Sequence, residues 1–291
     1  YLASSGSGLG PDGLFPEIVA VDHDSHELDK ARRLIEHLGR TKVEPLTPGL
    51  ALPQPVATEA RSVLAKLGLK FGSYVVCNPV GTANVAIKSW SPENFAEVLA
   101  WLTERSSLRL LLCAHVSEEP VIRSLLARLA VHRPAPAVWL GDTGQYPLLA
   151  GLVAGARFYI GNDTSTSHLA EAMQVPVVGI FGGVTSPRFN PSLASSLAFV
   201  HPLPCFGCGW DCHLVDAPCV KLIRPADIIA HLPRLLDKAS KVQPAVERVV
   251  KLKRLPEEQL VSIRRSQLKI REIEADRAAR LGKILTLTGL V

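Results

Sequence analysis

Residues 157–191 read RFYIGNDTSTSHLAEAMQVPVVGIFGGVTSPRFNP, and the fold is decided here. An apolar β-type run, Phe158-Tyr159-Ile160, stops at Gly161-Asn162. Five short polar residues, Asp163 to Ser167, lead into a helical stretch from His168 to Met173. A second apolar run, Val177 to Phe181, ends on Gly182-Gly183, with hydroxyls and Arg188 beyond. Two strand ends therefore point toward one crevice, each followed by a loop whose backbone can approach a ligand. Asp163 is the expected N-cap, and the N–H groups just after it have no partner inside the helix. Those groups, the positive end of the helix dipole and the nearby hydroxyls favour an anion, most often phosphate. A capped helix between two buried strands accounts for the same residues, and the stretch alone does not decide between the two.

Working outward, the pattern is regular from Tyr74. Tyr74 to Asn78 reads as a strand. After a loop, Ser91 caps a helix with Pro92 in its first turn, and Phe95, Val98, Leu99 and Leu102 repeat at helical spacing. Strands are expected at Leu108–Cys113 and Ala137–Leu140, and helices at Glu118–Val131, Tyr146–Ala154 and Pro225 to about Asp237. Strand and helix alternating at this spacing imply an α/β protein with a parallel sheet and helices on both faces. The loop after the first core strand carries Gly81 and Thr82 and returns to a helix with Lys88 just upstream. A lysine there can meet a phosphate as a point charge, although taken by itself a solvated surface lysine is the simpler explanation.

Nearer the ends the signals are weaker. Residues 1–14 are rich in Gly and Ser and read as a loose lead-in. Glu17 to Val21 reads as a short strand. The triplet Asp22-His23-Asp24 can hold a divalent metal in some sugar-transferring enzymes, but capping of the next helix, Ser25 to Leu38, explains it more simply. Pro45, Pro48, Pro53 and Pro55 make residues 40–56 an interdomain linker. Residues 245–283 are highly charged, with Leu260, Ile263, Ile270, Ile273 and Leu281 at helical spacing, and read as a solvated or coiled-coil-like connector.

Composition narrows the function classes. A chain of 291 residues with 47% hydrophobic and 20% charged residues suits a globular α/β protein. A net charge of +5 without basic runs interleaved with aromatics argues against a nucleic-acid track and fits an anionic small ligand. No apolar stretch is long enough to span a bilayer, and the start lacks the features of a signal peptide. The default location is cytoplasmic, with peripheral contact at the inner face of the cytoplasmic membrane as an option. The absent initiator Met points to a segment of a longer protein.

Two segments together resemble a family. GTANVAIKSWSPENFAEV looks like the G…K-x-W-x-P-E-x-F segment of the glycosyltransferase family 9 enzymes, the ADP-heptose:lipopolysaccharide heptosyltransferases. GNDTSTSHLAEAMQVPVVGIFGGVTSPRFNP is similar to that family's DTG-x-x-HLAAALG…FGPT-x-P signature, so the resemblance covers roughly residues 70–237 in order. It implies a GT-B-type fold, two Rossmann-like domains facing a cleft, of which this chain carries the donor-binding half. The corresponding division is a remnant of the N-terminal domain with its linker over 1–56, a donor-binding domain over 57–240 and a charged helical connector over 241–291.

Carried over residue by residue, the resemblance puts Lys88 on the donor diphosphate. Thr164 and Ser165 offer it backbone N–H groups, and Asp163 and His168 complete that loop. Gly81 and Thr82 join the donor-binding set, with Gly182 and Gly183 nearby. Two positions depart from the pattern: Ser165 stands where the family has Gly, and Gly183 where it has Pro. The family's catalytic base lies on a glycine-rich loop of its N-terminal domain. Residues 1–45 match only the tail of that domain, around His26 to Gly39, so no catalytic residue is assigned. Asp142, Asp163 and His168 are the groups to search if the segment turns over alone.

Cysteines fall into two kinds. Cys77 and Cys113 read as small core residues. Cys205, Cys208, Cys212 and Cys219, with His201 and His213 close by, fit either a structural zinc site or reduced thiols packing an irregular loop. The leading function is an inverting glycosyltransferase using an ADP-heptose-like nucleotide sugar as substrate and a lipid-linked or lipopolysaccharide-type acceptor. No cofactor is required by that reading, and Arg188 is a further candidate for stabilising the departing diphosphate. A non-catalytic nucleotide-sugar-fold binding or scaffolding module of a larger protein is the alternative, and an epimerase on the same fold a weaker third.

Overall fold

The computed structural model describes residues 19, 21–22, 24–82, 85–130, 134–203, 205–206, 212, 214, 217–236 and 249–251. In chain order the elements are α1 (Glu27–Gly39), α2 (Gln54–Lys66), β1 (Tyr74–Asn78), α3 (Pro92–Arg105), β2 (Arg109–His115), α4 (Glu119–Arg128), β3 (Ala137–Gly141), α5 (Tyr146–Ala154), β4 (Phe158–Asn162), α6 (Ser165–Ala172), β5 (Val177–Phe181), β6 (Leu197–Val200), α7 (Pro218–Lys221), α8 (Pro225–Ile229), α9 (Pro233–Leu236) and β7 (Val249–Lys251). Among the described residues no helix is long and apolar enough to cross a membrane.

The seven strands form one parallel sheet in the order β3-β2-β1-β4-β5-β6-β7. Chain order reverses between β1 and β4, so the crevice at their carboxyl ends is the topological switch point. Strands β1, β4 and β5 are buried along their whole length, which is why they read as unbroken apolar runs rather than alternating ones. Alternation instead sorts their residues to two helix layers. Val75 and Cys77 join a core with Phe95 and Leu99 of α3, Ile122 of α4 and Ile228 of α8. Tyr74 and Val76 join the opposite core with Leu64 of α2, Leu152 of α5 and Ala170 of α6. Cys77 and Cys113 are fully buried, and burial pushes both thiols up.

Local signals explain several boundaries. Ser91 caps α3 by accepting the Asn94 N–H at 3.2 Å, and Pro92 occupies the first turn. At α1 the cap is His26, whose ring accepts the Leu28 N–H at 3.1 Å. The acidic triplet upstream does not cap it: Asp22 Oδ1 accepts the Asp24 N–H at 3.1 Å instead.

Other elements differ from the sequence reading. Residues 42–53 carry no regular structure, but α2 then begins inside the proline-rich stretch. The expected Pro225–Asp237 helix divides into α8 and α9, with Pro233 opening the second. Strands β6 and β7 extend the sheet where a loop and a charged connector were expected. Most of Glu17–Val21 and residues 252–291, including the expected charged C-terminal helix, lie outside the described residues.

Candidate functional site

Strands β1 and β4 both end on asparagine, and these two side chains assemble the crevice. Asn162 is fully buried; its Nδ2 donates to the Pro79 carbonyl and its Oδ1 accepts the Trp90 N–H, each at 3.0 Å. Asn78 donates to Thr166 Oγ1 at 3.1 Å and accepts the Val80 N–H at 3.1 Å. The loop between β1 and α3 is thereby held to β4 and α6. Trp90 adds an anchor on the far side, its indole N–H donating to the Ile223 carbonyl at 2.7 Å.

Within that frame Lys88 reaches the start of the α6 segment. Its ammonium forms an ion pair with Asp163 Oδ2 at 3.0 Å and donates to the Asp163 carbonyl at 3.4 Å. His168 Nε2 stands 3.6 Å from the other carboxylate oxygen. Burial pushes the Asp163 carboxyl up. The His168 contact, the Lys88 charge and the Thr185 hydroxyl outweigh that and hold it below the ordinary aspartate range.

Asp163 is therefore not the N-cap that the sequence predicts. The cap is Thr164, and the helix begins at Ser165 rather than at His168. A carboxylate only 3% exposed between two basic side chains is satisfied by them and is poorly placed to face an anionic ligand. Ser167 closes the first turn, its hydroxyl donating to the Thr164 carbonyl at 2.7 Å. The early N–H groups of α6 have no acceptor inside the helix, and Ser165 stands exposed at its mouth. Lys88 and this helix start together favour an anion.

Glycine matters at two of the predicted positions. Gly81 has φ +83°, and a Cβ there would stand 3.1 Å from Thr164 Cγ2, so the loop passes close over the α6 cap. Its N–H donates to Glu118 Oε1 at 2.8 Å. At Gly183 a Cβ would meet the Phe206 ring at 2.4 Å. Gly182 packs against Val220 and Cys219 of α7. Both lie with Lys88 around a small apolar cavity of about 20 Å³. Thr82 is buried beside Gly81.

Cys205, Cys212 and Cys219 line the same small cavity. Among the described residues no group of three His, Cys, Asp or Glu is gathered as a metal site requires, and Cys208 and His213 lie outside those residues. Cys212 Sγ donates instead to the Leu214 carbonyl at 3.1 Å. His201 is buried, and its desolvation lowers the ring's pKa despite nearby Asp227. Arg188 is engaged by α1, its Nε and Nη2 each 2.7 Å from Glu27 Oε1. Asp142 lies at the end of β3, where it accepts the Gly144 N–H at 2.8 Å.

A second cavity, of about 190 Å³, opens on the other side of the α6 start. It is lined by Asn78, Gly81, Glu118, Trp139, Asp142, Tyr146 and Ser165, among others. Sequence reasoning missed this cavity and the two asparagines. A signal was present for the latter, since both strands at the switch point end on the same side-chain amide.

A parallel sheet, a helix start and a paired lysine meet at the switch point in a Rossmann-type arrangement. The sequence profile of glycosyltransferase family 9 (heptosyltransferase) matches residues 15–208, and the chain belongs to that family. It is 26% identical over 181 residues to lipopolysaccharide heptosyltransferase 3 of Escherichia coli (strain K12), covering 62% of this chain and 51% of that protein. The chain thus spans about half the length of this curated relative. Among solved structures, it resembles a family 9 glycosyltransferase from Veillonella parvula, with a TM-score of 0.64 at 17% identity over 76% of this chain and 64% of the other. It also resembles E. coli ADP-heptose lipopolysaccharide heptosyltransferase II, with a TM-score of 0.57 at 17% identity over 77% and 66%.

Proposed function

We propose that this chain is the donor-binding half of an inverting heptosyltransferase-type enzyme, taking its sugar from a nucleoside diphosphate sugar such as ADP-heptose. The observation that carries this reading is the ion-paired Lys88 beside the start of α6, at the switch point of a family 9 sheet. The diphosphate lies against Lys88 and the early N–H groups of Ser165 and Thr166. Negative charge accumulating on the departing diphosphate is met there by donors already in place, which lowers the barrier to loss of the leaving group.

Asp163 serves this site indirectly. It fixes the ammonium of Lys88 and the ring of His168 without itself facing the ligand. Gly81 lets the neighbouring loop pass close to Thr164, which closes the phosphate end of the crevice. The acceptor is a lipopolysaccharide-type glycan reached at the cytoplasmic face of the inner membrane. Its hydroxyl is activated by a base on the preceding domain, and closure of the two domains brings nucleophile and donor carbon into line.

The test is a thermal-shift series of residues 1–291 with ADP-, UDP- and GDP-sugars, together with the Lys88→Ala variant. A bound donor raises the melting temperature, by a stabilisation that grows with the logarithm of its concentration over Kd. Stabilisation by an ADP-sugar, lost in Lys88→Ala, is expected. No response to any nucleotide sugar would overturn the reading. Sugar transfer by an N-terminally extended chain, but not by residues 1–291 alone, tests the division of labour between the two halves.

A further inference from the structure

The turn that follows β5 is folded on itself. The Phe189 N–H donates to the Thr185 carbonyl at 2.8 Å, and the Asn190 N–H to the Pro187 carbonyl at 3.2 Å. Both neighbours of Phe189 are then fastened to the first turn of α1. The Arg188 carbonyl accepts the Glu27 N–H at 3.0 Å, one of the early helix amides that have no acceptor within the helix. The Asn190 carbonyl stands 2.7 Å from His26 Nε2. Because His26 Nδ1 already accepts the Leu28 N–H, the ring proton sits on Nε2 and is donated to Asn190.

Side chains repeat the link. One oxygen of Glu27, Oε1, lies 2.7 Å from both Nε and Nη2 of Arg188 and 2.9 Å from the buried Lys30 ammonium. Burial pushes the Glu27 carboxyl up, but the hydrogen bonds from Lys30 and Arg188 outweigh it and hold it below the ordinary glutamate range. The Arg188 guanidinium in turn lies 5.2 Å from the centroid of the Phe189 ring, within cation–π range. Phe189 is thus held through both main chain and side chain. Its ring meets that of His168 on α6, with centroids 5.9 Å apart and planes tilted by 58°, the spacing of a packed aromatic pair. His168 Nε2 stands 3.6 Å from Asp163 Oδ1, beyond ordinary hydrogen-bond length, so that contact alone does not fix the ring.

We propose that Phe189 is a positioning residue of the diphosphate site: it holds the His168 ring against Asp163, and α1 sets Phe189 through Glu27 and Arg188. This rests on the donor-binding reading above and adds the support that His168 needs. With the ring in place, one oxygen of Asp163 is covered and the other keeps its ion pair with Lys88. With Phe189 displaced, the part-exposed His168 side chain turns into solvent and the Asp163 carboxylate is free to rotate, which takes the Lys88 ammonium away from the α6 start. A change at Glu27 is thereby felt at Lys88.

The test is NMR of the full 291-residue chain carrying isotope-labelled histidine, with inorganic pyrophosphate as the ligand. His168 is one of nine histidines, and its ring signal is the one lost in His168→Gln. Phe189→Leu is expected to move that signal, because the neighbouring ring current is gone, and to weaken pyrophosphate about threefold, the scale of one aromatic pair. Phe189→Tyr keeps the ring and should keep both the signal and the affinity. Glu27→Ala should move the His168 signal in the same direction as Phe189→Leu and weaken pyrophosphate to a smaller extent. An unchanged signal from the buried His201 shows that each variant has folded. A His168 signal unmoved by Phe189→Leu or by Glu27→Ala, or pyrophosphate affinity unchanged in Phe189→Leu, overturns this proposal and leaves the donor-binding reading standing. Failure of the wild-type chain to bind pyrophosphate overturns both.

Discussion

Asp163 holds Lys88 at two atoms, its carboxylate oxygen at 3.0 Å and its carbonyl oxygen at 3.4 Å from the ammonium. The carboxylate is only 3% exposed, so its charge is met by the Lys88 ammonium rather than by solvent, with the His168 ring alongside. Breaking a buried pair from one side leaves the other charge without compensation. Asp163→Asn is therefore expected to cost about 2–4 kcal/mol of stability. Urea unfolding of the two proteins at neutral pH measures this; a loss below about 0.5 kcal/mol, the scale of a surface change, would contradict it.

The same carboxylate sets an acid dependence. Its folded pKa is depressed below the ordinary 3.8, so between the folded and unfolded values the unfolded chain binds more protons. Asp163 thus contributes fully above the unfolded value, and its contribution falls away as pH drops through the folded one. The stability gap between wild type and Asp163→Asn should stay constant from neutral pH to about pH 5 and narrow below about pH 4. A gap that persists unchanged in acid argues against this assignment.

Lys88→Ala should weaken diphosphate-containing ligands by about 1.5–3 kcal/mol, the scale of a charge-assisted contact, and barely alter the binding of adenosine. Calorimetric titration with ADP and with adenosine separates the two. Parallel losses for both ligands would point to a disturbed fold rather than a missing phosphate contact.

Gly183 lies under the Phe206 ring, where a Cβ would come within 2.4 Å. Gly183→Ala is expected to cost about 1–3 kcal/mol through overpacking. Pairing it with Phe206→Leu should recover part of that loss, since residues in contact do not act additively. Strictly additive effects in a double-mutant cycle would show that the ring moves aside without cost.

Gly81→Ala meets two obstacles, a φ of +83° and Thr164 Cγ2 at 3.1 Å. Roughly 1–2 kcal/mol of destabilisation is expected from the backbone alone. Weaker ADP binding should accompany it, because the loop must lift from the α6 cap. Binding unaffected by the substitution would place the ligand away from this loop.

The centre of the sheet was legible because β1, β4 and β5 are buried on both faces and bounded by turn residues, so their runs stand out. Ser91-Pro92 likewise marked the start of α3. Helix α2 was hidden by Pro53 and Pro55, which read as linker. Proline is equally at home in the first turn of a helix, and only the core around Ala60 and Leu64 distinguishes the two uses. Strands β6 and β7 have four and three residues, too few for a period to show. At Asp163-Thr164-Ser165-Thr166 several residues in succession can cap a helix, and local propensity cannot rank them. Lys88, distant in sequence, draws Asp163 away and leaves the cap to Thr164.

Asn162 grips the loop after β1 at two points, the Pro79 carbonyl and the Trp90 amide. The two ends of that stretch are thus moored to one side chain of β4, so the places where it leaves and rejoins the sheet are set together by a single residue. Lys88 sits two residues from the second of these points, so its position is tied to that mooring. Losing Asn162 would therefore release both ends at once and let Lys88 drift from the α6 start.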